Sequence, residues 1–490
     1  MVKNVVANYI GKFWSLISAL VFLPLWIDIL GFENYTIISF TLVITSFTVF
    51  FDSGLTSTLS RQVARGDVTG DYKFIAFRTL EWCYLGIAFL IIVGFQFLVR
   101  PIVNNINVSS IDKESLHLII RIVSIGIPFE MLFKFYLGGL LGFENHIKAN
   151  GLLVAWGVLR NGMVTLAVYF YQDMLLFFSW QASSSVLFMF FARFYLLNSF
   201  TTKVNHNFFI FDRKVLLDIY RFALGMLLIS FVAAMNSQMD KMLITKYISL
   251  DELGYYTLAT SLAGGMLFLV NPIASALLPK FTNNFSTGKS LKNSYILSNA
   301  MSIIGIVIFS ICASLVINST GVIYVWTGDE EIAKRSGEFL SVFGFSYTIL
   351  ALQVIPYNYM ISTGDTRFNN IIGIASLFVT IPGFIICAVY FGALYLALLI
   401  LVIQLIIFIL YVRRLVVIGL VTNWTSWIAS NLLFPGVISF VFVHYTTEWL
   451  YTGGSRGDVF AFLFVQVTLG ISLNLIIFKR SRRKIFTMFT

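Results

Sequence analysis

Residues 51–64 read Phe-Asp-Ser-Gly-Leu-Thr-Ser-Thr-Leu-Ser-Arg-Gln-Val-Ala, from Phe51 to Ala64. They close an apolar run of about 20 residues, the length a helix needs to cross the hydrocarbon core of a bilayer. Asp52 stands inside that run, Gly54 allows a second helix to approach closely, and Arg61 and Arg65 follow at the water boundary. One span thus carries an acid at depth and a basic exit. A carboxylate in such a place either pairs with a neighbouring cation or lines a water-filled cavity, where it titrates or senses substrate. The two arginines read as topology anchors.

The rest of the chain has the same character. Of 490 residues, 58% are hydrophobic and only 11% charged, with a mean hydropathy of +0.87. A soluble domain averages about 25% charged residues, so an all-α polytopic membrane protein is expected. About fourteen apolar spans fall near 8–30, 34–60, 75–99, 116–141, 150–171, 174–198, 220–245, 253–279, 294–318, 338–361, 370–390, 393–411, 425–445 and 459–478. Their connections are short, the longest being 199–219 and 319–337, and leave no room for a soluble domain. Cys83, Cys312 and Cys387 sit inside apolar runs and read as packing residues. The first span, ending at Leu30, is too long for a cleaved leader.

The net charge of +10 would point to nucleic acid in a soluble chain. Here its distribution assigns it to the membrane surface. With the N-terminus inside, inner segments hold 21 Lys and Arg residues, from Lys3 to the run Lys479–Lys484, and outer segments hold 6. That asymmetry puts both termini in the cytoplasm. Aromatic residues agree: Trp26, Tyr171, Tyr324, Trp326 and Trp449 fall at outer interfaces, and Trp424 and Trp427 at an inner one.

An internal repeat is visible. Asp52 aligns with Asn271 at an offset of 219, Tyr35 with Tyr256 at 221, and Asn150 with Asn370 at 220. The offsets predict two six-helix bundles of equal topology, related by parallel pseudo-symmetry, with two extra C-terminal helices. The bounds are 1–198 for the first bundle, 199–219 for a cytoplasmic linker and 220–411 for the second bundle. Residues 412–490 hold the two extra helices and a basic tail.

Ionisable residues inside spans cost roughly 2.5–3.5 kcal/mol each and tend to face a cavity or each other. Lys12, Asp28 and Arg193 lie near span ends and are expected to snorkel. Glu130 and Lys134 are one helical turn apart, a pairing distance. Asp240 and Lys241 lie near the outer end of span seven. Arg121 and Arg160 stand deeper. Either they pair with Glu81, Glu130 or Asp52, or they form a cationic lumen, since arginine grips phosphate bidentately and cannot lose its proton. On a straight helix Arg121 is opposite Glu130. Pro24, Pro128, Pro272, Pro356, Pro382 and Pro435 interrupt spans, as static kinks or as hinges.

Familiar catalytic chemistry is missing from the pattern. Gly288-Lys289-Ser290 lacks the glycine a phosphate loop needs at position 283, which is Asn283. His117, His146, His206 and His444 have no cysteine at metal-ligand spacing. No cofactor, metal or enzymatic activity is expected.

Phe51-Asp52-x-Gly54-Leu55 followed by Arg61-x-x-Ala64 resembles the second span of Wzx-type polysaccharide flippases, of the multidrug/oligosaccharidyl-lipid/polysaccharide exporter superfamily. The two-lobe plan extends the resemblance over essentially the whole chain. It implies an O-antigen or capsule repeat unit on a polyprenyl pyrophosphate carrier, moved from the cytoplasmic to the outer leaflet of the bacterial inner membrane by alternating access. Arg121, Lys134, Arg160 and Lys241 are then expected at the headgroup, and Asp52, Glu81, Glu130 and Asp240 in proton or sodium coupling. Membrane lipids, a polysaccharide polymerase and a chain-length regulator would be its partners. The alternatives are a multidrug/cation antiporter of the same superfamily, which would favour an acidic or aromatic lumen, and a membrane-embedded polymerase, which would carry a large outer loop.

Overall fold

Each apolar run becomes a helix, because backbone polar groups in a hydrocarbon phase must be satisfied within their own segment. The computed structural model describes residues 2–104, 113–201, 210–287, 290–450 and 454–477, without the side chains of 2–10, 12–13, 15–16, 19, 47–53, 221, 229, 290 and 449–450. The side chains of Lys3, Lys12, Asp52, Arg221 and Trp449, and residues Lys203, His206, Gly288, Lys289 and 479–484, therefore lie outside the described residues.

The helices are α1 (Val2–Leu30), α2 (Phe32–Ala64), α3 (Gly70–Asn104), α4 (Lys113–Gly142), α5 (His146–Tyr171), α6 (Met174–Leu197), α7 (Arg213–Tyr247) and α8 (Leu250–Ser286). They continue with α9 (Ser290–Ile317), α10 (Ser319–Thr327), α11 (Glu330–Ser362), α12 (Thr366–Tyr390), α13 (Ala393–Val417), α14 (424–450) and α15 (Arg456–Ile477). No strand occurs among the described residues. Twelve described helices are long and apolar enough to cross a membrane, and α1 and α2 occupy the first two expected spans. The chain is a multi-pass membrane protein. One expectation is corrected: part of the connection at 319–337 is the helix α10, packed on α11.

Helix starts follow their caps. Asp173, Asp212 and Asp329 each accept a backbone N–H of the helix they open, at 2.8 Å from Leu175, 2.7 Å from Lys214 and 2.9 Å from Ile332.

The chain forms two compact units, Met1–Gly254 and Tyr255–Thr490. The boundary lies within α8, between Gly254 and Tyr255. In the first unit α4 is central and packs on α2, α3 and α6, while α2 also packs on α7 and α1 on α5. Small residues let these backbones meet. A Cβ on Gly142 would lie 2.6 Å from the Ser60 carbonyl oxygen of α2. The core there is aromatic, with Phe77 against Phe135 and Phe200, and Tyr84 over Phe135 at 4.7 Å. In the second unit α11 packs on α9, α10 and α13, and α14 and α15 close on α9.

The repeat is written into the backbone. Glu144 and Gly364, 220 residues apart, both take positive φ, 60° and 80°. The next residues, Asn145 (φ −80°, ψ 53°) and Asp365 (φ −78°, ψ 48°), open α5 and α12 with the same dihedrals.

Candidate functional site

The first unit encloses a cavity of about 270 Å³ lined from α1, α2, α4, α5 and α6. Span five builds it. The turn Val158–Met163 of α5 is a π-helix, a wide turn that recurs at functional sites. Such a turn leaves carbonyls to be satisfied by other donors. Trp180 Nε1 of α6 donates to the Leu159 carbonyl at 2.9 Å, and Thr165 Oγ1 to that of Asn161 at 2.6 Å. The turn is fastened to α1 by Asn161 Nδ2 donating to Ser18 Oγ (2.7 Å) and Trp26 Nε1 donating to Thr165 Oγ1 (2.8 Å). Gly157 opens the turn because the Trp14 indole nitrogen sits where a Cβ would be, 2.3 Å away.

Arg160 stands in the π-turn. Its Nη2 lies 3.1 Å from Glu130 Oε2 and donates to Gln181 Oε1 at 3.4 Å, and its guanidinium lies 4.7 Å from the Trp156 ring centroid. The other carboxylate oxygen of Glu130 receives Lys134 Nζ at 2.8 Å. Glu130 is buried, and the Arg160 and Lys134 side chains are 17% and 35% exposed. The three charges sum to one positive. Among the described residues, Trp14 Nε1, Trp156 Nε1 and Arg160 Nε are buried with no hydrogen-bond acceptor. Arg160 and Glu130 both line the cavity, and with Lys134 on Glu130 the cluster keeps a net positive charge, which suits an oxyanion.

A second cluster lies at the α3, α4 and α6 contact. Glu81 Oε2 receives Arg78 Nη1 at 2.6 Å, and Oε1 receives Arg193 Nε at 2.8 Å and the Tyr136 hydroxyl at 2.7 Å. Glu81 and Arg78 are wholly buried, and Arg78 is flanked by the rings of Phe74 and Phe77. This corrects the reading of Arg193 as a snorkelling residue: it turns inward to a carboxylate from another helix. It also settles Glu81's partners as Arg78 and Arg193, not Arg121 or Arg160.

Of the four basic residues expected at a headgroup, the structure brings Arg160 and Lys134 together on Glu130. Arg121 is exposed on α4 and does not line the cavity. Lys241 is half-buried on α7 and donates to Gln238 Oε1 of its own helix at 3.4 Å. Asp240 beside it is buried, and Asp28 is exposed. Among the described residues no group of three or more His, Cys, Asp and Glu could hold a metal ion.

Sequence reading missed Trp14, Trp156, Asn161 and Gln181. Two signals were available. Trp156 precedes Arg160 by four residues, a cation–π spacing on a helix, and Gln181 is a polar residue inside an apolar span.

Comparison with known proteins places this geometry. A family model described as polysaccharide biosynthesis protein matches residues 1–285, and the MatE model matches residues 223–386. A Shigella flexneri protein named "Putative O-antigen transporter" is 21% identical over 399 residues, covering 77% of this chain and 88% of its own. The solved structure of lipid II flippase MurJ, in an inward closed conformation, superposes with a TM-score of 0.75 at 14% identity, covering 98% of this chain and 99% of its own. An inward-facing multidrug resistance MATE family transporter of the MOP superfamily gives 0.64 at 14% identity, covering 84% and 98%. The fold is the one these transporters share, and since the polysaccharide biosynthesis model matches more than half of its length, the chain belongs to the polysaccharide biosynthesis protein family.

Proposed function

We propose that the protein is a flippase for a lipid-linked oligosaccharide, and that Arg160, aided by Lys134, engages the phosphate oxyanions joining glycan to lipid. The cavity lined by Arg160 carries this reading. A diphosphate entering a membrane interior needs partners that stay charged, and guanidinium does so while offering two parallel donors. The family description and the relative's name support the substrate class. Electrostatics favours the outward direction: carrying two negative charges outward down a 100 mV potential, inside negative, releases about 4–5 kcal/mol. On this reading the protein lies in a bacterial inner membrane with both termini cytoplasmic, as the basic residues of its inner segments favour. Asp240 and Asp52 stay as candidates for ion coupling.

The match to the MatE model favours a second reading, a multidrug/cation antiporter. A cavity holding Arg160 and a net positive charge suits a cation poorly. The two readings separate in a strain lacking the protein. R160A, present in the membrane at wild-type level, should abolish surface polysaccharide and leave resistance to cationic dyes unchanged. Full restoration of polysaccharide by R160A would contradict the flippase reading.

A further inference from the structure

We propose that Glu130 is a resident counter-ion, holding Arg160 until an oxyanion displaces it and then being retained by Lys134. The inference rests on the reading that this cavity receives the phosphate end of the substrate.

The geometry of the pair is its basis. Guanidinium and carboxylate frequently meet through two parallel N–H donors. Arg160 gives Glu130 only Nη2, at 3.1 Å, and that nitrogen also reaches Gln181 at 3.4 Å. Its Nε is buried with no acceptor among the described residues. Part of the fork therefore has no partner. Lys134 holds Glu130 more closely, at 2.8 Å, from a more exposed position. The carboxylate thus has a closer contact on the lysine side, at 2.8 Å, than on the arginine side, at 3.1 Å.

A second, independent observation points to a ligand. Arg160, Glu130, Trp156 and Gln181 line one cavity, and the Arg160 side chain is 17% exposed. A water takes about 30 Å³ of liquid volume, so a cavity of about 270 Å³ admits a group of several heavy atoms. The matching group carries acceptors: the phosphates of a lipid-diphosphate linkage or the carboxylate of an acidic sugar. A resident carboxylate lowers affinity by the fraction of time Arg160 is engaged. It also keeps a half-buried arginine from standing uncompensated between substrates.

Calorimetric titration of the full-length protein in detergent tests this, with inorganic pyrophosphate, sodium galacturonate and, at matched ionic strength, sodium chloride. Wild type should bind pyrophosphate or galacturonate, and the one it prefers identifies the source of the oxyanion. R160A should lose that binding. E130Q should tighten it by about tenfold or more, as expected when a competitor is removed. E130D keeps the charge but draws it back by one methylene, and should tighten binding by a smaller factor; it also carries the test if E130Q does not fold. E130Q/K134Q should match E130Q, because Lys134 acts through Glu130. The counter-ion role is overturned if wild type binds neither oxyanion, if chloride reproduces the response, or if E130D equals wild type. Weaker or unchanged binding by E130Q overturns it as well. Loss of binding in R160A with no gain in E130Q or E130D would remove the counter-ion role alone. Normal polysaccharide export by R160A would remove the functional reading beneath it.

Discussion

Arg160 holds Glu130 through one nitrogen, Nη2 at 3.1 Å, while Lys134 takes the other carboxylate oxygen at 2.8 Å. One acid thus ties two cations of α4 and α5, and removing it leaves both uncompensated. Breaking a fully buried pair costs roughly 3–5 kcal/mol. Solvent reaches both cations here, so E130A should cost about 1–3 kcal/mol, after the discount partial exposure requires. Thermal unfolding in detergent should show a lower midpoint for E130A, and pyrophosphate should raise that midpoint more in E130A than in wild type.

Glu81 behaves differently because solvent does not reach it. It binds Arg78, Arg193 and Tyr136 across three helices. E81A should cost roughly 3–5 kcal/mol and lower the amount of folded protein in the membrane. Because the cluster lies outside the cavity, export per folded molecule should be unchanged, as measured by surface polysaccharide normalised to membrane protein.

Gly142 sits where α4 crosses α2. A methyl group there would lie 2.6 Å from the Ser60 carbonyl oxygen, a backbone atom that cannot swing aside. G142A should cost about 1–3 kcal/mol through overpacking, read as a lower thermal midpoint. G151A, at a position with nothing within 4 Å, is the control and should leave the midpoint unchanged or raised.

Trp180 supports the π-turn that carries Arg160. W180F keeps the ring but removes the donor to the Leu159 carbonyl. The expected loss is about 1 kcal/mol of stability, together with a several-fold weaker oxyanion affinity as the turn loses its fixed width. Affinity equal to wild type would show that the turn needs no such support.

Much of the fold was legible in the chain because hydropathy and turn chemistry are local. The spans needed only their own composition, and the 220-residue repeat read from Asn150 and Asn370 reappears in the dihedrals of Glu144 and Gly364. Gly54 was read as a close-contact position, and a Cβ there would meet Leu227 of α7 at 2.6 Å. The site was legible in part. Glu130 and Lys134 share a helix face, so their pairing followed from spacing. Arg160 with Glu130 stood among several pairings, and choosing between them requires the register between α4 and α5, which no single helix encodes. The same lack hid Arg193's turn towards Glu81. The π-turn was not legible because the residues that touch it, Trp14 and Trp180, are distant in sequence.

The central claim is that Arg160 carries the charged end of a lipid-linked glycan across the membrane. The direct measurement is transfer in vesicles: purified protein, a lipid-diphosphate-linked oligosaccharide loaded in one leaflet, and timed appearance of its sugars on the other face. Wild type should transfer, R160A at matched incorporation should fall at least about tenfold, corresponding to about 1.4 kcal/mol, and R160K should lie between them because it keeps charge but loses the fork. Equal transfer by wild type and R160A would contradict the account.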